Sequence, residues 1–213
     1  MTGATETERE SAPTVLLDQR AIAARVERIA GEITTDHPEG VVLVGVLKGA
    51  LVFLADLARA ITGIEVTVDF LSISRYAPDS GRVRILKDLD VEVEGRDVVL
   101  VEDLVDTGLT LAYLLSHVRE RAPRSLDVCT LLDRSVRRIV PLSARYVGEE
   151  IDDVFVLGYG LHHVDLYRNV PYIVEADRRV VLDRPAAYVD VLYGPGAASG
   201  DGGRGRAVPE GEW

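Results

Sequence analysis

The sequence Val98-Val99-Leu100-Val101-Glu102-Asp103-Leu104-Val105-Asp106-Thr107-Gly108-Leu109-Thr110 decides the fold. Its first four residues are all aliphatic, without alternation, which is typical of a strand buried on both faces of a parallel sheet. Two adjacent carboxylates end this run, an Asp-Thr-Gly turn follows, and a helix is predicted from about Leu109. The apolar residues of that helix have helical spacing, at Leu111, Leu114, Leu115 and Val118. The pattern predicts an α/β fold in which a buried strand leads through a short turn into a helix.

The turn after this strand has the donors that a phosphate monoester needs. In an open α/β sheet, ligands bind beyond the carboxyl ends of the strands, and a helix N-terminus offers free backbone N–H groups to an anion. Thr107 and Thr110 add hydroxyl groups, and Gly108 permits close approach of the backbone. Glu102 and Asp103 suit neutral hydroxyls or a metal ion, because bare carboxylates repel phosphate. A sugar phosphate matches both halves of the segment.

Length and composition favour one globular domain. The chain has 213 residues, of which 47% are hydrophobic, so it can bury a sizeable core. The net charge of −11 argues against a nucleic-acid surface, and no apolar run is long enough for a membrane span. Residues 1–12 are predicted to be a disordered leader without the apolar region of a signal peptide. Cys129 is the single cysteine, which excludes a disulfide within the chain and is consistent with the cytoplasm.

The quoted segment resembles the 5-phosphoribosyl-1-diphosphate (PRPP) signature of type I phosphoribosyltransferases. The chain resembles the hypoxanthine-guanine branch of that family over residues 14–177. This implies a parallel-sheet α/β core in a domain of residues 13–177, with a small hood built from the first strand and the residues after about 134. Residues 178–213 form a C-terminal extension, which is Gly-rich and predicted to be disordered from 194 and to bury little. The alternative for the segment is an ordinary strand–helix junction with a capping aspartate.

The resemblance also implies a reaction. The 5-phosphoribosyl group of PRPP is transferred to a purine base, and pyrophosphate and a nucleoside monophosphate are the products. Asp106 is the expected catalytic residue, which takes a proton from the base, while Glu102 and Asp103 hold the ribose hydroxyls and Mg²⁺. The residues expected to bind PRPP are Lys48, Gly49, Glu102, Asp103, Asp106, Thr107, Gly108, Leu109, Thr110 and Arg168.

Two of these residues lie outside the signature segment. Lys48 is in a Leu-Lys-Gly turn before a helix predicted from about Ala50 to Ile61, which is apolar nearly all round and therefore expected to be well buried. In the family resembled, this turn lines the pyrophosphate subsite, often with a cis peptide. Arg168 matches an arginine that binds pyrophosphate. The alternatives are a solvated loop lysine and a surface salt bridge.

The base side of the sequence departs from the family pattern. The family has Lys where Arg134 stands, Asp where His162 stands, and Ser where Arg75 stands. The residues expected to bind the base are Arg134, Phe155, Val156 and His162, and the lid loop is expected to contain Arg75 and Tyr76. The plain alternatives are a solvated basic patch of Arg134, Arg137 and Arg138, a core phenylalanine, solvated loop histidines and an ordinary hairpin connection.

These departures leave three functions open. The first is purine salvage with a base similar to hypoxanthine or guanine. The second is a paralogue that acts on another base, such as a deazapurine, in specialised metabolism. The third is a PRPP-sensing regulatory protein without turnover, although the acidic charge and the lack of a helix-turn-helix argue against it. The family resemblance further implies a cytoplasmic homodimer or homotetramer, with no nucleic-acid or membrane partner.

Overall fold

The structure is a computed structural model, and it describes residues 12–74 and 84–194. Its strands are β1 (Thr14–Leu17), β2 (Val41–Leu47), β3 (Val66–Ile73), β4 (Ile85–Lys87), β5 (Asp97–Val105), β6 (Ser125–Asp133), β7 (Tyr146–Glu150), β8 (Phe155–Leu157) and β9 (Ile173–Ala176). Its α-helices are α1 (Gln19–Asp36), α2 (Leu51–Ala60), α3 (Leu109–Arg119), α4 (Arg178–Asp183) and α5 (Val189–Tyr193). A 3₁₀ turn spans Ser135–Arg137.

The main sheet has the strand order β4-β3-β2-β5-β6-β7. All its neighbouring strands are parallel except β4, which pairs antiparallel with β3 at one edge. β2 and β5 are central, and their aliphatic residues are buried on both faces. This confirms the predicted α/β class, because only strands covered on both sides tolerate unbroken apolar runs.

Helices cover both faces of this sheet. α1 begins after Asp18, whose carboxylate accepts a hydrogen bond from the amide of Ala21 at 2.7 Å, as an N-cap does. α1 and α2 pack on the face that contains Val99 and Val101, and α3 packs on the opposite face. The expectation that α2 is well buried holds only for its inner face, because its outer face is open to solvent and Leu51 is 48% exposed. No helix in the described ranges combines the length and the apolar character needed to cross a membrane.

The hood is a separate antiparallel sheet of three strands in the order β1-β9-β8. β7 follows residue 134, and the sequence therefore placed it in the hood, but it pairs in parallel with β6 in the main sheet. The hood thus takes a smaller part of the chain than expected, from β8 onward together with β1. β7 joins the main sheet because its apolar residues complete the core beside β6, where Tyr146 is fully buried.

The C-terminal extension packs on the hood. Val181 of α4 is fully buried, and Tyr188 just before α5 is 4% exposed. Both belong to an apolar cluster with residues of β8 and β9. The expectation that the extension buries little is therefore wrong for residues 178–193. The predicted leader up to residue 11 and the Gly-rich tail from 195 lie outside the described residues.

Candidate active site

The candidate site lies at the carboxyl ends of β2, β5 and β6. The turn after β2 contains Lys48 and Gly49, and the Leu47–Lys48 peptide bond is cis. Gly49 lies directly against the end of β5, since a Cβ at this position would collide with the carboxylate of Asp103. Only glycine lets the two turns approach so closely. The predicted diphosphate turn and the predicted acidic pair are thus neighbours.

Glu102 and Asp103 form an acidic pair in which Glu102 is buried and Asp103 is half-buried. Glu102 is 8% exposed, and burial, reinforced by the charge of Asp103, raises its pKa well above the ordinary value. Burial also raises the pKa of Asp103, while hydrogen bonds from backbone amides, including that of Leu104 at 2.9 Å, and the charge of Arg168 oppose the shift. Two carboxylates with raised pKa values favour a partner that supplies hydroxyl donors or positive charge.

Hydrogen bonds from the segment after β6 fix one side of the turn from Asp106 to Thr110, and the helix N-terminus on its other side has no side-chain cap. The Thr107 carbonyl accepts hydrogen bonds from the amides of Ile139 and Val140 at 3.0 and 3.2 Å. Gly108 has φ +82°, and a Cβ there would lie 3.1 Å from the Arg138 side chain. α3 starts on Gly108 without a side-chain cap. The Leu109 amide donates to Oγ1 of Thr107 at 3.4 Å, and the other amides of this first turn have no capping side chain and suit an anion, as the sequence predicted from the turn.

Asp106 lies between two arginines. Its Oδ2 is 3.6 Å from Nη1 of Arg134, and its Oδ1 is 3.5 Å from Nε of Arg137. Oδ1 is nevertheless buried without a hydrogen-bond partner. Asp106 thus retains an acceptor atom for a ligand proton. Sequence reasoning missed the contact with Arg137, because neither spacing nor composition shows which residues of an arginine-rich turn fold inward.

The predicted alternative of a solvated basic patch is wrong for two of its three arginines. Arg134 is 5% exposed, donates from Nη2 to the carbonyl of Val154, and has its pKa lowered by burial. Arg138 pairs with the carboxylate of Asp133 and donates to the Leu142 carbonyl at 2.9 Å. These contacts fix the segment after β6 to the hood and to the turn below Gly108.

Arg168 reaches the site from the hood. Its Nη1 donates to the Gly160 carbonyl at 2.7 Å, and its Nη2 is 3.2 Å from Oδ1 of Asp165. The hydrogen bond from Arg168 lowers the pKa of Asp165, and the charge of Lys48 acts in the same direction. Lys48, Arg168 and Asp165 therefore share one side of the site. No pattern in the sequence pointed to Asp165.

The predicted base-binding residues lie beside each other at the entrance of the hood. Arg134 contacts Val154, the neighbour of Phe155, and the Phe155 ring meets that of His163 edge to face at 6.0 Å. The Val156 side chain is buried in the core instead, so only its backbone can face a ligand. The lid residues Arg75 and Tyr76 lie outside the described residues.

His162 is held as one tautomer. Its Nδ1 accepts the amide hydrogen of Asp165 at 3.0 Å, so a neutral ring carries its proton on Nε2. The ring is 20% exposed and lies 3.8 Å from the Asp165 carboxylate. His162 is thus a partly exposed loop histidine whose Nδ1 is hydrogen-bonded within its own loop. It stands where the family resembled has a carboxylate.

A metal ion would find few protein ligands here. In the described part of the chain, no three or more His, Cys, Asp or Glu side chains are grouped to hold a metal. The acidic pair offers carboxylate oxygens that are not paired with an arginine in a salt bridge, unlike Asp106 and Asp165. Mg²⁺ is commonly held by one or two carboxylates, with phosphate and water completing its shell. Glu102 and Asp103 fit that pattern if the substrate supplies the other ligands.

Comparison with known proteins gives one consistent family. The family model described as phosphoribosyl transferase domain matches residues 14–163. The hypoxanthine-guanine phosphoribosyltransferase of Bacillus subtilis is 44% identical over 164 residues, which are 75% of this chain and 90% of that protein. The enzyme of the same name from Mycobacterium avium is 44% identical over 176 residues, 78% of this chain and 86% of that protein.

Solved structures agree. The crystal structure of a hypoxanthine-guanine phosphoribosyltransferase from Bacillus anthracis has a TM-score of 0.75 and 41% identity, covering 78% of this chain and 100% of that chain. A hypoxanthine phosphoribosyltransferase from Trypanosoma cruzi, solved as a ternary complex with substrates, has a TM-score of 0.75 and 38% identity, covering 79% of this chain and 97% of that chain.

Proposed function

The chain belongs to the phosphoribosyltransferase family, in its hypoxanthine-guanine branch, and on this premise we propose that it transfers the 5-phosphoribosyl group of PRPP to a 6-oxopurine in purine salvage. Pyrophosphate and a nucleoside monophosphate are the products. One observation carries the proposal. An acidic pair lies near the carboxyl end of the central strand β5 and an uncapped helix N-terminus follows this strand, which matches a ligand with a diol beside a phosphate.

The PRPP half of the site divides into three contacts. The turn from Thr107 to Thr110, with Leu109 at its centre, binds the 5-phosphate through backbone amides and hydroxyls. Glu102 and Asp103 hold the ribose hydroxyls and Mg²⁺, which neutralises charge on the leaving pyrophosphate when it is bound. Lys48 and Arg168 bind the pyrophosphate from the side of the site that they share with Asp165, whose pKa both of them lower.

The chemical step breaks one bond and forms another at C1′ of the ribose. The bond between C1′ and the pyrophosphate oxygen breaks, and the oxygen keeps the electron pair. A ring nitrogen of the base forms the new bond to C1′. The proton of that nitrogen passes to Asp106, whose Oδ1 accepts no hydrogen bond. Because the transition state is expected to resemble an oxocarbenium ion, positioning and charge stabilisation supply most of the acceleration.

A second candidate function has an observation of its own. Arg134 stands where the family has Lys, and it is already bonded to Val154 and paired with Asp106. A guanidinium fixed by these contacts is a wider and less adaptable donor than a lysine ammonium. His162 stands where the family has Asp, so a carboxylate is replaced by an imidazole on the same side of the site. We therefore keep a paralogue acting on another base, such as a deazapurine, as the alternative.

A turnover assay separates these functions. Pyrophosphate release from PRPP and Mg²⁺ is measured with hypoxanthine, guanine, adenine and a 7-deazapurine. We expect the highest kcat/KM with hypoxanthine or guanine. A preference for the deazapurine selects the alternative. Binding of PRPP without turnover of any base would leave only the sensing role that the sequence also permits.

Cellular location and assembly complete the proposal. We place the enzyme in the cytoplasm as a homodimer or homotetramer, on the basis of the family and of a single buried thiol at Cys129. Sedimentation velocity tests the assembly, and a single monomeric species would contradict it.

A further inference from the structure

Tyr167, in the hood, is fixed by hydrogen bonds and by ring stacking. It is fully buried and has φ +76°, a conformation that is uncommon for residues other than glycine. Its amide donates to Oη of Tyr193 at 2.6 Å, and the two rings stack at 5.9 Å with an interplanar angle of 18°. Its own hydroxyl donates to the Pro185 carbonyl at 2.7 Å and accepts from the Tyr188 amide at 3.3 Å.

These partners all come from the C-terminal extension. Pro185, Tyr188 and Tyr193 lie more than twenty positions beyond residue 163, where the match to the family model ends. Tyr188 is buried with Tyr167 in the hood cluster, and Tyr193 packs against that cluster. The extension thus contributes both polar and apolar contacts to one residue of the hood.

Tyr167 is connected to the site through its neighbour. Arg168 follows it directly and is bonded twice to Gly160, since the Gly160 amide donates to the Arg168 carbonyl at 2.9 Å and Nη1 of Arg168 donates to the Gly160 carbonyl. Gly160 in turn lies on the backbone of Gly49, where a Cβ would collide with the carbonyl oxygen. Gly49 abuts Asp103. A continuous series of contacts joins the extension to the acidic pair.

We propose that residues 185–193 position Arg168 for the diphosphate of PRPP by fixing Tyr167, with Tyr193 as the main positioning residue. A left-handed conformation at a tyrosine persists only when its surroundings enforce it. The hydrogen bond and the ring stack from Tyr193 supply that constraint. If the Tyr167 backbone relaxes, the guanidinium of the next residue changes direction. This inference rests on the proposed function, because it takes PRPP as the ligand.

The test is Tyr193→Phe, which keeps the stacked ring and removes the hydroxyl. The backbone of Tyr167 then loses its acceptor, so we expect KM for PRPP to rise about five- to tenfold. KM for the base should change little, and the melting temperature should fall by only a few degrees, since one buried donor loses its partner. Val191→Ala is the matched control, because Val191 is on the same helix and is 60% exposed. Unchanged KM for PRPP in Tyr193→Phe overturns the proposal.

A double-mutant cycle with Arg168→Ala distinguishes positioning from general packing. If Tyr193 acts through Arg168, Tyr193→Phe has no further effect on KM for PRPP once Arg168 is alanine. Equal effects of Tyr193→Phe in both backgrounds overturn the proposal. Should Tyr193→Phe not fold, Tyr167→Phe removes the bonds to Pro185 and Tyr188 and is expected to shift KM for PRPP in the same direction. A wild-type protein without PRPP turnover contradicts the proposed function itself, whereas normal wild-type turnover with no effect of these variants contradicts only the inference.

Discussion

The charged side chains at the two ends of the main sheet differ in how completely they are paired. At the amino end, Asp97 receives two hydrogen bonds from Arg124 at 2.9 and 2.7 Å and lies 3.3 Å from Nδ1 of His37. Arg124 above all holds the pKa of Asp97 far below its usual range. Tyr146 extends this network, because it is 3.1 Å from His37 and donates to Asp36. The amino end is a stabilising network of paired groups.

At the carboxyl end, pairing is incomplete. Within the described residues, the buried side-chain atoms without a hydrogen-bond partner are Oδ1 of Asp106, Nε of Arg134 and Nε of Arg138, and all lie there. The acidic pair has raised pKa values at the same end. Unpaired buried polar groups cost stability, so this end is arranged for a ligand at the expense of the unliganded fold.

The largest effect is expected from Glu102→Gln. Turnover should fall at least about 100-fold, because a charged contact to the ribose and metal is lost. The unliganded protein should instead become more stable at pH 8 than the wild type. The raised pKa means that the folded wild type binds the Glu102 proton more tightly than the unfolded chain does, so its stability falls as pH rises above the ordinary value of a glutamate.

The measurement is urea unfolding of both proteins at pH 5 and pH 8, beside a turnover assay. The stability difference in favour of Glu102→Gln should grow with pH. A variant that is less stable than the wild type at pH 8 would show that Glu102 is paired in the folded protein, and the contrast between the two ends would fail there.

At the amino end, Asp97→Asn should cost about 2 kcal/mol of unfolding free energy at pH 7, or roughly 30-fold in the unfolding equilibrium, because charged hydrogen bonds are lost. Turnover of the folded enzyme should not change. Since the pKa of Asp97 is lowered, its contribution is present above the ordinary aspartate value and is lost as pH falls. The stability difference between the wild type and the variant should therefore begin to shrink below about pH 4 and continue to shrink as the pH falls towards the lowered pKa of Asp97.

Glu39→Gln is the matched control. Glu39 contacts the same arginine at 2.6 Å but is 74% exposed, so its loss should have little effect on stability. Equal losses of stability in the two variants would mean that burial does not decide the value of these pairs.

Asp106→Asn should lower turnover more than tenfold while PRPP affinity changes little. The amide keeps the size of the side chain but cannot accept the proton of the base. Steady-state kinetics and calorimetry with PRPP give the two quantities. Unchanged turnover with the preferred base would remove Asp106 from the proton-transfer role.

The smallest effect concerns the base. Arg134→Lys with His162→Asp should shift the ratio of kcat/KM values toward guanine and hypoxanthine by a few-fold, because it replaces a fixed donor with an acceptor and a guanidinium with a smaller cation. A base panel measures the ratio. If the wild type already uses guanine or hypoxanthine at about 10⁴ M⁻¹s⁻¹ or above, the altered residues do not set specificity.

Local sequence signals predicted local features well. The unbroken apolar run gave β5 at the sheet centre, and Asp18 gave the start of α1. Features that depend on distant pairing were not predictable. β7 is a short strand of two apolar residues, a glycine and two glutamates, and nothing in this composition shows which sheet it joins.

The site divides in the same way. The conformation of the turn from Asp106 to Thr110 is determined by its own residues, so the uncapped helix N-terminus was predictable from the sequence. Two contacts arise only when separate elements pack together. Arg137 points inward to Asp106, and Tyr193 accepts a hydrogen bond from the amide of Tyr167, 26 positions earlier. Tyr193 lies in a short, mostly apolar stretch, and nothing in that stretch shows that its hydroxyl binds the Tyr167 amide.

The contacts of Gly49 and Gly160 also determine whether a substitution of either glycine can be compensated by a second substitution elsewhere. At Gly49 the obstacle to a side chain is the carboxylate of Asp103, which a smaller residue at 103 would remove at the expense of activity. At Gly160 the obstacle is a carbonyl oxygen, which every amino acid carries, so no replacement at position 49 makes room. In a library that varies both regions, position 49 should show epistasis with position 103, whereas position 160 should remain glycine in every genetic background.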